Sequence, residues 1–128
     1  MKACYQIDVL PQSGVKATIE GMLLRLLFDF TPATPVVEEG QEAPSDLYYC
    51  ESVDVNGRSK GEIVSAIVNS RYSPDAYQAI LANYELAKDS KSGISAAKKA
   101  EYLAEYQDFQ DWRTHAKEIA TIVLSLIA

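Results

Sequence analysis

The C-terminal stretch from Tyr102 to Ile127 has the sequence YLAEYQDFQDWRTHAKEIATIVLSLI. Its apolar residues recur three or four positions apart, so at 100° per residue they form one stripe along a helix. The stripe consists of Tyr102, Tyr106, Phe109, Trp112, Ala116, Ala120, Val123 and Ile127. The acidic residues and His115 mostly turn away from it. This pattern predicts a helix that faces a hydrophobic core, and it contains no motif that marks a reaction.

The same helix is predicted to be unusually long. No Gly or Pro occurs between Ile94 and Ala128, so a helix of about thirty residues, roughly 45 Å, can form. Such a helix would overhang a small domain, so it either bends near Thr114 to Ala116 or projects at one end. The large aliphatic residues from Ile119 onward represent on the order of 10 kcal/mol of burial. We therefore expect them to pack on a sheet or on another copy of the chain.

Helix starts are marked by serines in the second half of the chain. Ser59 and Glu62 have the spacing of a capping box, in which each side chain accepts from a free amide of the other residue. Ser73 precedes Pro74, which is favourable at the first helical position, and Ser95 precedes the last helix. Three helices are predicted, with a bend over residues 69–72 because a residue before proline avoids the α region.

The first half of the chain has strand patterns. Residues 4–9 alternate between apolar and polar, and residues 47–55 are aromatic and β-branched before a turn at Asn56 and Gly57. Residues 15–30 fit a strand and a helix equally well by periodicity. We favour one long strand bent at Gly21 and ended by Pro32, and the helix remains an open alternative.

An acidic segment from Thr31 to Asp46 separates these strands. It contains prolines, a glycine and three glutamates without periodicity, which is typical of a mobile connection, with a partner-binding loop as the alternative. The chain is predicted to be a single domain over residues 1–128, mainly β over 1–57 and α-helical over 58–128. The expected fold class is α+β: a small antiparallel sheet packed by three C-terminal helices.

Composition limits the classes of partner. The chain has 128 residues, of which 48% are hydrophobic, and a net charge of −6 with its basic residues scattered. Such a surface repels nucleic acid and anionic membranes. The longest apolar run, Ile119 to Ala128, is about half of a membrane span. We expect a protein partner or self-association, no nucleic acid and no membrane.

The cysteines and the N-terminus favour a cytoplasmic protein. Cys4 and Cys50 have no CxxC spacing, and no apolar leader segment follows Met1. Two reduced, partly buried thiols are the favoured interpretation, with a single disulfide as the alternative.

Candidate chemistry is sparse. Asp111 and His115 lie four residues apart, as two metal ligands or an acid-oriented general base would, with Asp108 one turn back. No third ligand is evident, and a solvated helix face with a weak ion pair is the stronger interpretation. Cys50 with His115 could form a thiol and base pair, although coincidence is the simpler explanation. No catalytic, cofactor-binding or metal-binding residue is assigned, and no cofactor is expected.

The aromatic residues of the second half favour a protein interface. They lack the interleaved Arg and Lys of a nucleic-acid platform, whereas Tyr and Trp are frequent at protein interfaces. Trp112 with Arg113 is the expected anchor pair. The full set of candidate interface residues is Tyr106, Phe109, Trp112, Arg113, Ile119, Val123 and Ile127.

Four segments carry a resemblance to a protein group. They are EIVSAIV (62–68), RYSPD (71–75), AILANY (79–84) and EYQDFQDWRTHAK (105–117). Together they resemble small uncharacterised proteins encoded by bacterial phages and prophages. The resemblance implies a structural or assembly accessory, in the cytoplasm or the phage particle, and it carries over no functional residues.

The favoured function is therefore non-enzymatic protein–protein interaction, in a homo-oligomer or a phage-type assembly. A metal-binding protein or small hydrolytic enzyme that uses Asp111 and His115 is one alternative. A small-molecule-binding domain with a pocket between sheet and helices is another.

Overall fold

The computed structural model describes residues 2–7, 9–33, 38–41 and 47–128. Four strands form an antiparallel sheet in the spatial order β1-β4-β3-β2, and three helices follow in the chain. The elements are β1 (Lys2–Gln6), β2 (Val15–Glu20), β3 (Leu23–Pro32), β4 (Leu47–Val55), α1 (Lys60–Arg71), α2 (Pro74–Lys88) and α3 (Ala96–Ile127). The predicted α+β class, with a small antiparallel sheet and a long last helix, is confirmed.

Residues 15–32 form a β-hairpin rather than one bent strand. Glu20 pairs with Leu23, and Val15 pairs with Phe28. Gly21 has a φ of 61°, a backbone conformation that suits glycine at the first position of a two-residue hairpin turn. The prediction of strand over helix is confirmed, but the bend at Gly21 is a complete reversal of the chain.

The core lies between one face of the sheet and the helices. Leu24, Leu26 and Phe28 of β3 are fully buried there. They pack with Val53 and Val55 of β4, Ile63 and Ile67 of α1, and Trp112, Ala116, Ile119, Ala120 and Val123 of α3. The C-terminal half of α3 therefore packs on the sheet of its own chain.

Helix α3 is continuous over 32 residues, about 48 Å at 1.5 Å per residue. The helix is uninterrupted at the position of the predicted bend, Thr114 to Ala116. Its first buried residue is Phe109, so the N-terminal half extends beyond the core, and helix α2 packs along it.

The serine caps are confirmed at all three helices. The Glu62 N–H donates to Ser59 Oγ at 3.1 Å, and the Glu62 carboxylate accepts from Ser59 in return. Ser73 and Ser95 accept from the Ala76 and Lys98 amides. The predicted bend over 69–72 is too long, because α1 continues to Arg71 and only the C-cap Tyr72 and Ser73 leave the helical conformation.

Strand boundaries differ from the sequence prediction in the first half. Strand β1 ends at Gln6, and Val9 is 81% exposed beyond it. Strand β3 continues through Pro32, so the predicted loop over 31–46 begins later; its residues 34–37 and 42–46 lie outside the described part. Cys50 is fully buried, and the side chain of Cys4 lies outside the described part. Within the described residues, no helix combines the length and apolar character of a membrane span.

Candidate functional site

Asp29 occupies an irregular point of the sheet. The register of β3 against β4 shifts between Phe28 and Thr31, and Asp29 has a φ of 56°, the single positive value among the described non-glycine residues. A β-bulge of this kind redirects a side chain from its regular face. Here the bulge turns the Asp29 carboxylate toward helix α3.

His115 of α3 pairs with this strand carboxylate. Its Nε2 lies 2.8 Å from Asp29 Oδ1 and 3.0 Å from Oδ2. The expected Asp111 partner instead accepts a hydrogen bond from Gln107 Nε2 at 2.8 Å. A pair on one helix is worth only a few tenths of a kcal/mol, whereas Asp29 presents both oxygens to one ring nitrogen. The second ring nitrogen, Nδ1, lies 3.9 Å from a Glu118 carboxylate oxygen.

A second polar cluster lies beside this pair. The Arg71 guanidinium lies 3.6 Å from the centre of the Trp112 ring and donates from Nη2 to Glu51 at 3.2 Å. Glu51 is only 4% exposed, so this ion pair is partly removed from water. Trp112 Nε1–H donates to the Ile67 carbonyl at 3.1 Å. Trp112 thus connects the end of α1 to α3 and fixes their spacing.

These groups line an open cleft of about 470 Å³. Its lining residues are Asp29, Arg71, Tyr72, Asp108, Asp111, Trp112 and His115. Among the described residues, no three His, Cys, Asp or Glu side chains are grouped so that they could hold a metal ion. Cys50 is adjacent to Glu51 on β4, so its side chain points to the opposite face of the sheet from the cleft. The structure therefore does not bring together the thiol and base pair considered from the sequence.

The aromatic residues expected at an interface largely contact one another. We define the helical arm as α2 together with residues 96–109 of α3. Within the arm, Tyr84 stacks on Tyr106 with ring centroids 3.7 Å apart, and Tyr77 stacks on Phe109 at 4.7 Å. Tyr72 meets the Phe109 ring edge-on at 5.1 Å. These contacts align the two helices of the arm and fasten its base to α1.

The arm leaves much of its apolar surface in contact with water. The fully described helix α2 has no buried residue, although its sequence includes Ile80, Leu81 and Leu86. Ile80 and Leu81 are half-buried, whereas Leu86 on α2 and Leu103 on α3 are each 43% exposed. Two helices that pack only on each other leave part of the apolar surface of each helix exposed.

The seven candidate interface residues fall into two groups. Phe109, Trp112, Ile119 and Val123 are buried in the core of their own chain, where they present no open surface. The other three are half-buried or exposed: Tyr106, Arg113 and Ile127. An apolar stripe shows that a helix is covered, but it does not show by what. The exposed leucines of the arm were missed because each occurs singly outside the main stripe.

A shallow groove of about 360 Å³ lies between α1 and the base of the arm. Val64, Val68, Tyr72, Tyr77 and Phe109 contribute its apolar walls. Helices bound this groove on all sides. The pocket expected from the sequence lies between sheet and helices, so the groove is not that pocket. A small-molecule site needs several polar groups that converge on the ligand. In this groove Ser65, Asn69 and Arg113 are the polar residues that could serve in this way.

Comparison with protein-family models, curated proteins and solved structures finds no match to this chain.

Proposed function

We propose that this protein is a non-enzymatic protein–protein interaction module and that the helical arm is its contact surface. The observation that carries the proposal is the absence of any buried residue from the fully described helix α2. Helix α2 packs mainly on α3, and a helix of 15 residues with so little burial is only marginally stabilised in water. A partner that covers the arm would supply the missing burial.

The exposed fraction of Leu86 and Leu103 gives an estimate of the free energy that a partner would gain by covering them. Full burial of a large aliphatic side chain is worth about 1.5–3 kcal/mol. Since Leu86 and Leu103 are each 43% exposed, covering them adds roughly 0.6–1.3 kcal/mol per residue. Ile80 and Leu81 lie on the side of α2 that carries Tyr77 and Tyr84 and packs on α3. Leu86 lies about 120–140° around the helix from them. The exposed leucines therefore offer apolar contacts at separate places on the arm.

The cleft supports the enzymatic alternative less well. The His115 Nε2 is engaged by Asp29, and Asp111 is engaged by Gln107. Asp29 orients the ring as the carboxylate partner of a general base would, and Nδ1 lies 3.9 Å from a Glu118 oxygen, beyond hydrogen-bond distance. The described residues place no Cys, and no group of three metal-ligand side chains, beside this nitrogen. The Asp29–His115 pair instead ties the sheet to α3.

The resemblance to phage-encoded proteins extends the proposal to a structural or assembly accessory. In that role the partner belongs to a bacterial or phage assembly, and the protein acts in the cytoplasm or in the phage particle. The arm is suited to such a role because it extends from a separately packed core.

Site-specific photo-crosslinking tests the proposal. A photoreactive phenylalanine analogue at Leu86 or at Leu103 is expected to give protein adducts, with a second copy in the purified protein or with another protein in the native cells. The matched control is the same analogue at Val9, which is 81% exposed beyond strand β1, and it should give none. Equal adducts from both positions, or none from Leu86 and Leu103, would contradict an interaction role for the arm.

Metal analysis tests the enzymatic alternative. The purified protein is expected to contain no stoichiometric transition metal. A bound metal that is lost on His115→Ala would favour the alternative and remove the basis for a purely interacting protein.

A further inference from the structure

Strand β2 forms one edge of the sheet, since the strand order is β1-β4-β3-β2. It pairs with β3 on one side, and no described strand lies on its other side. Ile19 of β2 is 54% exposed. An edge strand presents unpaired backbone N–H and C=O groups, which are a template for pairing with another chain. The free side of β2 is therefore a candidate contact surface that is separate from the helical arm.

The hairpin determines which backbone groups of β2 point to the free side. Glu20 and Leu23 close a two-residue turn, and such a closing pair exchanges both backbone hydrogen bonds. The pattern repeats at every second residue, so Thr18 and Lys16 also bond to β3. The backbone groups of the residues between them point away from β3.

These intervening residues are Val15, Ala17 and Ile19. The hydroxyl of Ser13 accepts from the Val15 N–H at 3.3 Å and donates to the Val15 carbonyl at 3.0 Å. The backbone groups of Val15 therefore do face away from β3, and they are already satisfied. Among the described residues, none bonds to the outward groups of Ala17 and Ile19. Two N–H and two C=O groups are thus open to a further strand.

We propose that β2 pairs with β2 of a second copy of this chain, antiparallel and about a two-fold axis at Thr18. In this register Ala17 of each copy exchanges backbone hydrogen bonds with Ile19 of the other, so all four outward groups of each strand are used. The two four-stranded sheets join into one. The inference goes beyond the proposed function, because this contact does not use the arm.

Charge selects this register. Lys16 and Glu20 lie on the same face of β2, two residues before and after Thr18. The axis at Thr18 therefore places Lys16 of each copy opposite Glu20 of the other, with Cβ atoms about 4.5–5.5 Å apart. A slip of two residues in either direction would instead place one of these charges opposite Thr18. A slip of one residue would oppose inward and outward backbone groups and break the ladder.

The two charges are available for this contact. Glu20 lies 3.8 Å from Arg25, but Arg25 is held more closely by Asp54 at 3.0 Å. The Glu20 side chain is 56% exposed, and Lys16 makes no ion pair with a described residue. Charged residues normally protect an edge strand from pairing. Here one lysine and one glutamate, four residues apart, are complementary to their own reversed copy.

The core-facing side of β2 has a matching apolar pair. In the proposed register Ile19 of each copy lies beside the small Ala17 of the other, which packs against the core of its own chain. The contact covers part of the exposed Ile19 side chain. Strands of six residues are about 20 Å long, so the contact is smaller than the roughly 800 Å² per partner of a stable interface. We therefore expect a reversible dimer that depends on protein concentration.

Light scattering after size-exclusion chromatography tests the dimer over a hundredfold range of concentration. The parent mass is expected to rise from 14.1 kDa toward twice this value. Lys16→Glu and Glu20→Lys should each dissociate at least tenfold more readily, because each substitution creates two pairs of like charge across the axis. An equimolar mixture of the two variants should recover the dimer, because both cross-strand pairs are then complementary again.

The backbone ladder is tested by Ile19→Pro. Proline lacks the N–H and is tolerated on an edge strand where this group faces outward, so the variant should fold but stay monomeric. The matched charge control is Lys117→Glu, at an exposed position of α3, which should dimerise like the parent. Circular dichroism checks that every variant is folded, and the charge variants decide the outcome if Ile19→Pro is not.

Amide exchange followed by nuclear magnetic resonance identifies the surface directly. The amides of Ala17 and Ile19 should exchange at least tenfold more slowly in the dimer than in a dilute sample, whereas the Thr18 amide is protected in both. The inference is overturned by a monomeric parent, by charge variants that dimerise as the parent does, or by a mixture that stays monomeric. A dimer in which the Ala17 and Ile19 amides exchange as in the monomer would also overturn it.

Discussion

Trp112→Phe is expected to lower the free energy of unfolding by about 2–3 kcal/mol. Loss of the Nε1–H hydrogen bond to the Ile67 carbonyl removes about 1 kcal/mol. A weaker cation–π contact with Arg71, whose guanidinium lies 3.6 Å from the ring centre, removes roughly 0.5 kcal/mol. The smaller ring leaves about 40 Å³ unfilled in the core, which costs about 1 kcal/mol more.

The assay is urea unfolding followed by far-ultraviolet circular dichroism, because the substitution removes the only tryptophan of the chain. The matched control is Tyr102→Phe, a half-buried aromatic position on the same helix, which should change stability by less than about 0.5 kcal/mol. If Trp112→Phe were as stable as the parent, Trp112 would not be the core residue described above. The prediction from the sequence that Trp112 and Arg113 anchor an interface would then regain its basis.

Three further outcomes follow from the local structure. Ser59→Ala removes a capping box and should cost about 1 kcal/mol in urea unfolding; an unchanged midpoint would contradict the cap. Asp29→Gly should be more stable than Asp29→Ala by about 1 kcal/mol, because glycine tolerates the φ of 56°, and the opposite order would refute the left-handed backbone. In hydrogen-exchange mass spectrometry, amides of residues 74–88 should exchange faster than those of 112–123, because only the latter segment packs in the core; equal protection in a monomeric sample would show that the arm is not a separate unit.

Helix starts were predictable because their signals are local. A serine cap acts within one turn, as do the Glu62 that follows Ser59 and the Pro74 that follows Ser73. Ser59, Ser73 and Ser95 therefore specify their helix starts without reference to the rest of the chain. The hairpin was only half predicted, since the apolar run of residues 15–30 fits both periods. What decides it is the pairing of Glu20 with Leu23 around Gly21, which periodicity does not contain.

The polar contacts between the sheet and α3 were not predictable, because they join residues that are far apart in the sequence. Asp29 and His115 are 86 residues apart, and the bulge that directs the carboxylate has no sequence signature in β3. The spacing of Asp111 and His115 suggested a pair because residues four positions apart are neighbours on a helix. A contact between elements depends on how the sheet and α3 are placed, and that placement follows from the core as a whole.

The two halves of helix α3 pack on different partners. Substitutions in one half should therefore change stability, and substitutions in the other half should change association. Beyond Phe109 the apolar stripe of α3 packs on the sheet, whereas before it the stripe packs on α2 alone. Substitutions at Trp112 or Val123 should therefore change unfolding first, and any loss of binding would follow from lost structure. Substitutions at Leu86 or Leu103 remove partly exposed surface and should leave unfolding within about 1 kcal/mol of the parent. A binding defect at these leucines in a protein of normal stability is therefore direct evidence for the arm, which no substitution in the core can supply.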